Sequence, residues 1–297
     1  MIPKNSGSQV TIAQRFFWVW RPKLKKNGYQ YLCAISRLIV RFLPTVVKLA
    51  LKNSLNIVMP MDYRSGNIRL SVDSWIEYDK RLKSCAKEPE TVQWIEQYIK
   101  PHETIYDIGA NVGAYSLVVA EFLKQQCQVY AIEPSFSNFN QLSKNISLNA
   151  VSASITPLLV ALADKTEVLY FNYSSIEAGQ ALHGLDMPGL GFIAKHRQAI
   201  LCYRLDDLIH AFHFKTPNHI KLDVDGIEYQ ILRGAPETLK NRALRSIILE
   251  TEDRRVDFNQ IVQLLGEYGF QLREVHPHRN NPFHPGPYVK NCIFVRD

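Results

Sequence analysis

Residues 104–113 read TIYDIGANVG, and this stretch decides the fold. Thr104 to Ile108 form a β-branched and aromatic run around a single acid, Asp107, which suits a buried strand. The run breaks at Gly109 and Gly113 and continues as AYSLVVAEFLK, which predicts a helix. Strand, tight glycine turn and helix in that order build a site for an anionic or nucleotide-like ligand. The glycines let the backbone come close, and the helix start offers N–H groups and the positive end of its dipole. A dinucleotide fingerprint needs glycine at its first, third and sixth places. Those places hold Gly109, Asn111 and Ala114, so two of the three fail.

Outward from this turn, strands and helices alternate. Gln128–Ile132 predicts a second strand, Phe136–Asn149 a helix and Ser154–Val160 a third strand. Val168–Tyr173 and Ala199–Leu205 predict extra strands flanking a glycine-containing excursion, Gly179–Gly191, in which His183 is a candidate for the acceptor pocket. A short helix near Asp206–Ala211 leads to a fourth parallel strand, His219–Val224, followed by one helix over Ile227–Lys240. Leu244–Leu249, a helix over Phe258–Tyr268, and the strands Phe270–Val275 and Cys292–Val295 complete the pattern. Upstream, IVMPMDY and NIRLSVD predict short strands, and a helix over Glu90–Ile99 brings the chain to the central strand. Such alternation gives an α/β fold with a mostly parallel, doubly wound sheet.

Glu133 ends the second strand about 20 residues past the glycine turn, where a carboxylate can accept hydrogen bonds from both hydroxyls of a ribose. The run IKLDVDGIEYQILRGA, Ile220–Ala235, puts Lys221 and Asp223 on one face of a strand, with Asp223 and Asp225 near its carboxyl end. Ligand chemistry in open α/β sheets takes place outside those ends. The same residues also have plain structural uses. Asp225 or Glu228 can cap the next helix, and Lys221 can pair with an acid on the neighbouring strand.

The spacing Asp107-x-Gly109-x-x-x-Gly113 resembles motif I of S-adenosylmethionine (SAM) methyltransferases. The wider series DIGANVGAYS, IEP, SKNISLN, LDDL, KLDVDGIEYQILRGA and IILE resembles the FkbM family of SAM-dependent methyltransferases, in order, over about residues 90–297. The resemblance implies a Rossmann-like class I methyltransferase fold and methylation of a hydroxyl on a sugar, glycan, lipid-linked or polyketide-type acceptor. Asp107, Gly109, Asn111, Gly113 and Glu133 would hold the cofactor, with Asp164, after the third strand, reaching the adenine amino group. Asp223, Asp225 and Glu250, all at strand ends, are the candidates for removing the acceptor's proton. The family's DVEG is here DVDG, which keeps the carboxylate at Asp225 on a shorter side chain. No Asn/Asp-Pro-Pro-aromatic motif stands at the fourth strand and no Cys follows Pro, so oxygen is favoured over ring nitrogen or carbon as the methylated atom. His276, His278 and His284, in HPHRNNPFHPGPY, are weaker candidates for catalysis or metal binding, and no metal is expected.

Five scattered cysteines without a CxxC pair argue against a disulfide framework or zinc site and fit a reducing cytosol. The net charge of +7 is unevenly placed. Residues 1–61 carry ten Lys or Arg and no acid, leaving 25 basic against 28 acidic residues elsewhere. That distribution argues against a nucleic-acid grip over the whole surface. Phe16, Phe17, Trp18 and Trp20 precede a helical stretch, 29–52, that Pro44 interrupts. On it Arg37, Arg41, Lys48 and Lys52 fall within roughly 60° of one another at about 100° per residue. The charges spoil a membrane span. A basic amphipathic segment over 1–52 suits the anionic cytoplasmic face of a membrane, and equally a helical cap on the domain. The expected division is 1–60 extension, 61–100 lead-in and 101–297 methyltransferase domain. RNA ribose methylation with the basic segment as a clamp, and SAM binding without turnover, remain as alternatives.

Overall fold

A computed structural model describes residues 26–181, 183–185, 194–252, 257–277 and 289–296. The chain forms two compact units, 1–56 and 57–297. The first contains α1 (Lys26–Arg41) and α2 (Thr45–Ser54), separated where Pro44 caps the second helix. The aromatic cluster at 16–20 lies outside the described residues. The unit ends at Asn56 rather than at 60, because β1 (Val58–Pro60) pairs antiparallel with β2 (Arg69–Ser71) in the second unit.

From there the lead-in runs through α3 (Trp75–Asp79), a 3₁₀ turn at Arg81–Lys83, α4 (Ser84–Lys87) and α5 (Pro89–Tyr98). A reciprocal cap starts α3. The Ser74 hydroxyl accepts from Glu77 N at 3.1 Å, and Glu77 accepts from Ser74 N at 2.9 Å. Pro89, which lacks an N–H, opens α5 in its first turn.

The central elements are β3 (Thr104–Ile108), α6 (Ala114–Phe122), β4 (Gln128–Ile132), α7 (Phe136–Leu148) and β5 (Ile155–Leu158). The chain then leaves for a second sheet built from β6 (Ala161–Leu162), β7 (Glu167–Tyr173), β8 (His183–Leu185) and β9 (His196–Tyr203). It returns through α8 (Leu205–Phe212), β10 (His219–Leu222), α9 (Glu228–Arg233), α10 (Pro236–Lys240) and β11 (Ser246–Glu252). It closes with α11 (Asp257–Glu267), β12 (Gln271–Pro277) and β13 (Val289–Val295). The single helix expected over 227–240 is two, because the chain breaks at Gly234 and restarts on Pro236.

The main sheet has the order β5-β4-β3-β10-β11-β13-β12, parallel from β5 to β11 and antiparallel at β13 and β12. Its middle strands are covered on both sides. Ile105 faces Trp94, Leu117 and Leu142 from α5, α6 and α7, whereas Tyr106 and Ile108 face Leu208, Leu232 and Ile261 from α8, α9 and α11. This double covering explains why TIYDI is nearly continuous in apolar character.

One polar network is buried at the amino end of these strands. Trp94 Nε1 donates to Ser246 Oγ at 3.0 Å, His219 Nδ1 lies 2.7 Å from the same oxygen, and His219 Nε2 lies 2.8 Å from Glu103 Oε2. Ser246 is fully buried and joins α5 to β10 and β11. Ser246→Ala strands both the indole and the imidazole nitrogen, so urea denaturation is expected to show a loss of about 2–4 kcal/mol. A change within about 0.5 kcal/mol, the range of an ordinary surface substitution, would show the network to be dispensable.

Candidate active site

The strand order reverses between β3 and β10. The chain winds outward from β3 through β4 to β5, then crosses back to lay β10 on the other side of β3. The connections that leave the carboxyl ends of those two strands therefore run in opposite directions, and the crevice outside those ends is the place where open α/β sheets hold ligands.

Register brings Lys221 beside Asp107 across this junction, both on the face covered by α5 and α6. Lys221 Nζ donates to Asp223 Oδ2 at 2.9 Å and lies 3.8 Å from Asp107 Oδ1. Ser116, in the first turn of α6, donates to Asp107 Oδ2 at 2.6 Å. The Lys221 ring contact is Tyr115, 5.0 Å away. Burial would lower the lysine's pKa, but Asp223, Asp107 and Glu88 together raise it. Burial also pushes Asp223 upward, yet Lys221 and Lys87 outweigh it and hold this carboxyl at about 2. Burial raises Asp107 despite Lys221 and Ser116.

Sequence reasoning missed the lead-in's contribution. Lys87 Nζ donates to Glu88 Oε1 at 2.5 Å, and both groups act electrostatically on Glu250 at the end of β11. Burial raises Glu250 well above the carboxylate range, and Asp223, Glu88 and Asp225 add to the shift while Lys87 opposes it. Lys87 and Glu88 lie far from β10 and β11 in sequence, and no local pattern marks them.

The glycine turn is crowded by protein. A Cβ on Gly109 would sit 1.9 Å from the Asp223 carbonyl oxygen, and one on Gly113 would sit 2.5 Å from Leu142 Cδ1. Their φ angles are +81° and +86°. So Gly109 lets β3 and β10 approach each other, a purpose different from the ligand approach inferred from sequence. Asn111 N donates to Glu133 Oε2 at 2.7 Å, and Ser135 N donates to Oε1 at 2.9 Å. Burial moves Glu133 up to about 7, against the hydrogen bonds from Ser135, Asn111 and Asn138.

Asp223, Asp225 and Glu250 thus share one electrostatic neighbourhood, and Asp107, Gly109, Asn111, Gly113 and Glu133 surround the turn. Asp164 follows β6 of the second sheet. Its neighbour Ala163 packs its carbonyl against Gly234 at the end of α9, and Asp164 itself acts on Cys202 of the second sheet. The chain turns away after β5, so an acid six residues past Leu158 no longer stands at that strand's tip. His276 pairs with Glu274 at 2.8 Å; His278, His284 and the His183 side chain lie outside the described residues.

These residues fit SAM. Asp107 Oδ1 is buried without a hydrogen-bond partner among the described residues, and no side chain caps α6, whose first N–H groups face the turn. Around the crevice the carboxyls of Asp107, Asp223, Glu88 and Glu250 face the cations Lys221, Lys87 and Arg81, and a positive sulfonium would add to the charges that offset them.

A doubly wound sheet with a glycine turn after its central strand, an acid ending the next strand and carboxylates at the crevice defines a Rossmann-like SAM-dependent methyltransferase. The family model described as "Methyltransferase FkbM domain" matches residues 107–272. This chain belongs to that family, and SAM is its methyl donor. The hexuronic acid methyltransferase AglP of Haloferax volcanii is 23% identical over 199 residues, covering 67% of this chain and 76% of the relative. Methyltransferase sdnD of Sordaria araneosa is 23% identical over 192 residues, 57% of this chain and 73% of that one. A crystal structure of an FkbM methyltransferase from Methylobacillus flagellatus aligns with a TM-score of 0.43 at 16% identity, covering 71% of this chain and 59% of the other.

The two glycines are expected to differ in their tolerance of a side chain. Gly109→Ala meets rigid backbone, so a loss of about 3 kcal/mol or more is expected, whereas Gly113→Ala meets a flexible leucine and should lose less. Denaturation midpoints in urea rank the two; an equal or reversed order would show that strand approach is not what Gly109 serves.

Proposed function

We propose that this methyltransferase acts on a hydroxyl of a sugar or glycan acceptor, including small-molecule and lipid-linked forms, with Glu250 as the general base. The observation that carries the base assignment is the contrast between two neighbouring carboxyls. Asp223 is neutralised by Lys221 and held at about 2, which makes it a weak proton acceptor. Glu250 is pushed well above its ordinary value, in the direction a base working near neutral pH needs. Asp225, exposed at the start of the next turn, contributes charge. The hexuronic acid named for the Haloferax relative supports a sugar as the acceptor class.

Bound SAM supplies an electrophilic methyl group. The turn Gly109–Gly113 and Asn111 would hold it through backbone and side-chain contacts, and Glu133 would take its ribose hydroxyls with the second lone pairs of its two oxygens. Asp107 would hold the turn through Ser116. Asp223 and Lys221 would keep the crevice at a fixed width, and Glu250 would receive the acceptor's proton.

Glu250→Gln is expected to lower kcat about 10²–10⁴-fold. Wild-type kcat should rise with pH through a pKa above the ordinary carboxylate range, because the base works only when deprotonated. The glutamine variant should lack that limb. If the limb survives in Glu250→Gln and disappears in Asp223→Asn, the base is Asp223.

The basic unit has a proposed role of its own. Among the described residues α1 and α2 contain no acid and no buried side chain. Tyr31, Leu32, Ile35, Leu38, Phe42, Val46 and Leu49 are exposed alongside Arg37, Arg41 and Lys52, with Lys48 half-buried. No described helix is long and apolar enough to cross a membrane. This composition supports peripheral attachment to anionic lipid on a cytoplasmic membrane face, at about 1 kcal/mol per basic residue near the surface. Vesicle co-sedimentation should require anionic lipid, weaken with salt and vanish when residues 1–52 are deleted. Equal pelleting of the full-length and truncated proteins would sink this role.

A further inference from the structure

Arg81, in the turn between α3 and α4, reaches from the lead-in to the stretch of chain at Gly179. Its Nε and Nη2 donate to the carbonyl oxygen of Gly179 at 2.9 and 2.7 Å. Gly179 N donates to Asn138 Oδ1 at 2.9 Å, and the next carbonyl, Gln180 O, accepts from Asn111 Nδ2 at 3.0 Å and Asn138 Nδ2 at 3.2 Å. Asn111 in turn donates its backbone N–H to Glu133. The guanidinium is therefore tied, through one short strap of chain, to the residues that surround the turn. Its charge also acts on Glu133 at the end of β4 and on Asp223 at the end of β10, the strand ends on either side of β3.

The other cations here are spoken for. Lys221 bonds to Asp223, and Lys87 bonds to Glu88. Arg81 has no carboxylate partner among the described residues. Gly179 takes the Nε–Nη2 edge, which leaves the Nη1–Nη2 edge, a planar fork that matches a carboxylate. The SAM molecule carries such a carboxylate on its methionyl half. The acid-rich crevice would repel it, so a cation without its own acid is needed at the turn.

We propose that Arg81 binds the methionyl carboxylate of SAM, a proposal that rests on assigning the glycine turn and Glu133 to that cofactor. Gly179 fixes the guanidinium plane, and the strap transmits that position to Asn111. The sequence gives no hint of this, because Arg81 and Gly179 lie outside every motif of the series.

Isothermal titration of the full chain with two ligands tests it. S-adenosylhomocysteine keeps the amino-acid half of the cofactor, and 5′-methylthioadenosine lacks it. Arg81→Gln is expected to weaken S-adenosylhomocysteine about 10–100-fold while changing methylthioadenosine by no more than about twofold. Arg81→Lys, which keeps the charge but not the fork, should show a smaller loss with the same selectivity, and it serves if the glutamine variant does not fold. Equal loss of both ligands would show that Arg81 acts only by holding the strap, and unchanged S-adenosylhomocysteine affinity would place the carboxylate elsewhere; either result overturns the proposal. Glu133→Gln should weaken both ligands alike. If it weakens neither, the ribose assignment fails separately from the Arg81 comparison.

Discussion

A buried lysine holds the two halves of the doubly wound sheet at the right separation. Lys221 leaves water at a cost of several kcal/mol, which only close partners offset. Its partners are Asp223, two residues further along β10, and Asp107 on β3, so the ion pair works across the junction where the strand order reverses. Removing Lys221 would leave buried carboxyls uncompensated, an effect of about 3–5 kcal/mol. The same constraint explains Gly109, since β3 and β10 close so tightly above the lysine that the Asp223 carbonyl leaves no room for a Cβ.

The ion pair also divides the chemistry. A carboxylate neutralised by a buried ammonium is stable and weakly basic, whereas one left among other carboxylates holds its proton more tightly. Asp223 has the first environment and Glu250 the second, although they lie on adjacent strands. Proximity to the crevice does not distinguish them; the distribution of Lys221 and Lys87 between them does. Nor does the acid excess need to be balanced by protein. A sulfonium brought into the crevice offsets part of it, so the site's imbalance is itself a form of ligand complementarity.

The central strand, the glycine turn and Glu133 were legible in the sequence because their signals are local: composition within five residues, two glycines four apart, and an acid at a strand end. The Lys221 pairing was legible as one of two options, since alternation put it on the face of Asp223. The lead-in's share was not legible. Arg81, Lys87 and Glu88 reach the site only through tertiary packing of short helices, and short helices leave little periodic signal. Asp164 illustrates the limit of local reading. Its position after a strand was read locally, but the chain had already departed into the second sheet. The helix over 227–240 was overrun because its apolar periodicity continues through Gly234 and Pro236, where the backbone does not.

The chain's net charge of +7 conceals two opposite fields. Ten basic residues and no acid lie in the first 61 residues, while the crevice around β10 and β11 has more carboxylates than ammonium groups. A basic isoelectric point would ordinarily suggest a polyanionic substrate, yet the site's own field favours a cation and repels one. The same field leaves Arg81, which has no carboxylate partner among the described residues, as the cation we assign to the anion that the cofactor itself brings.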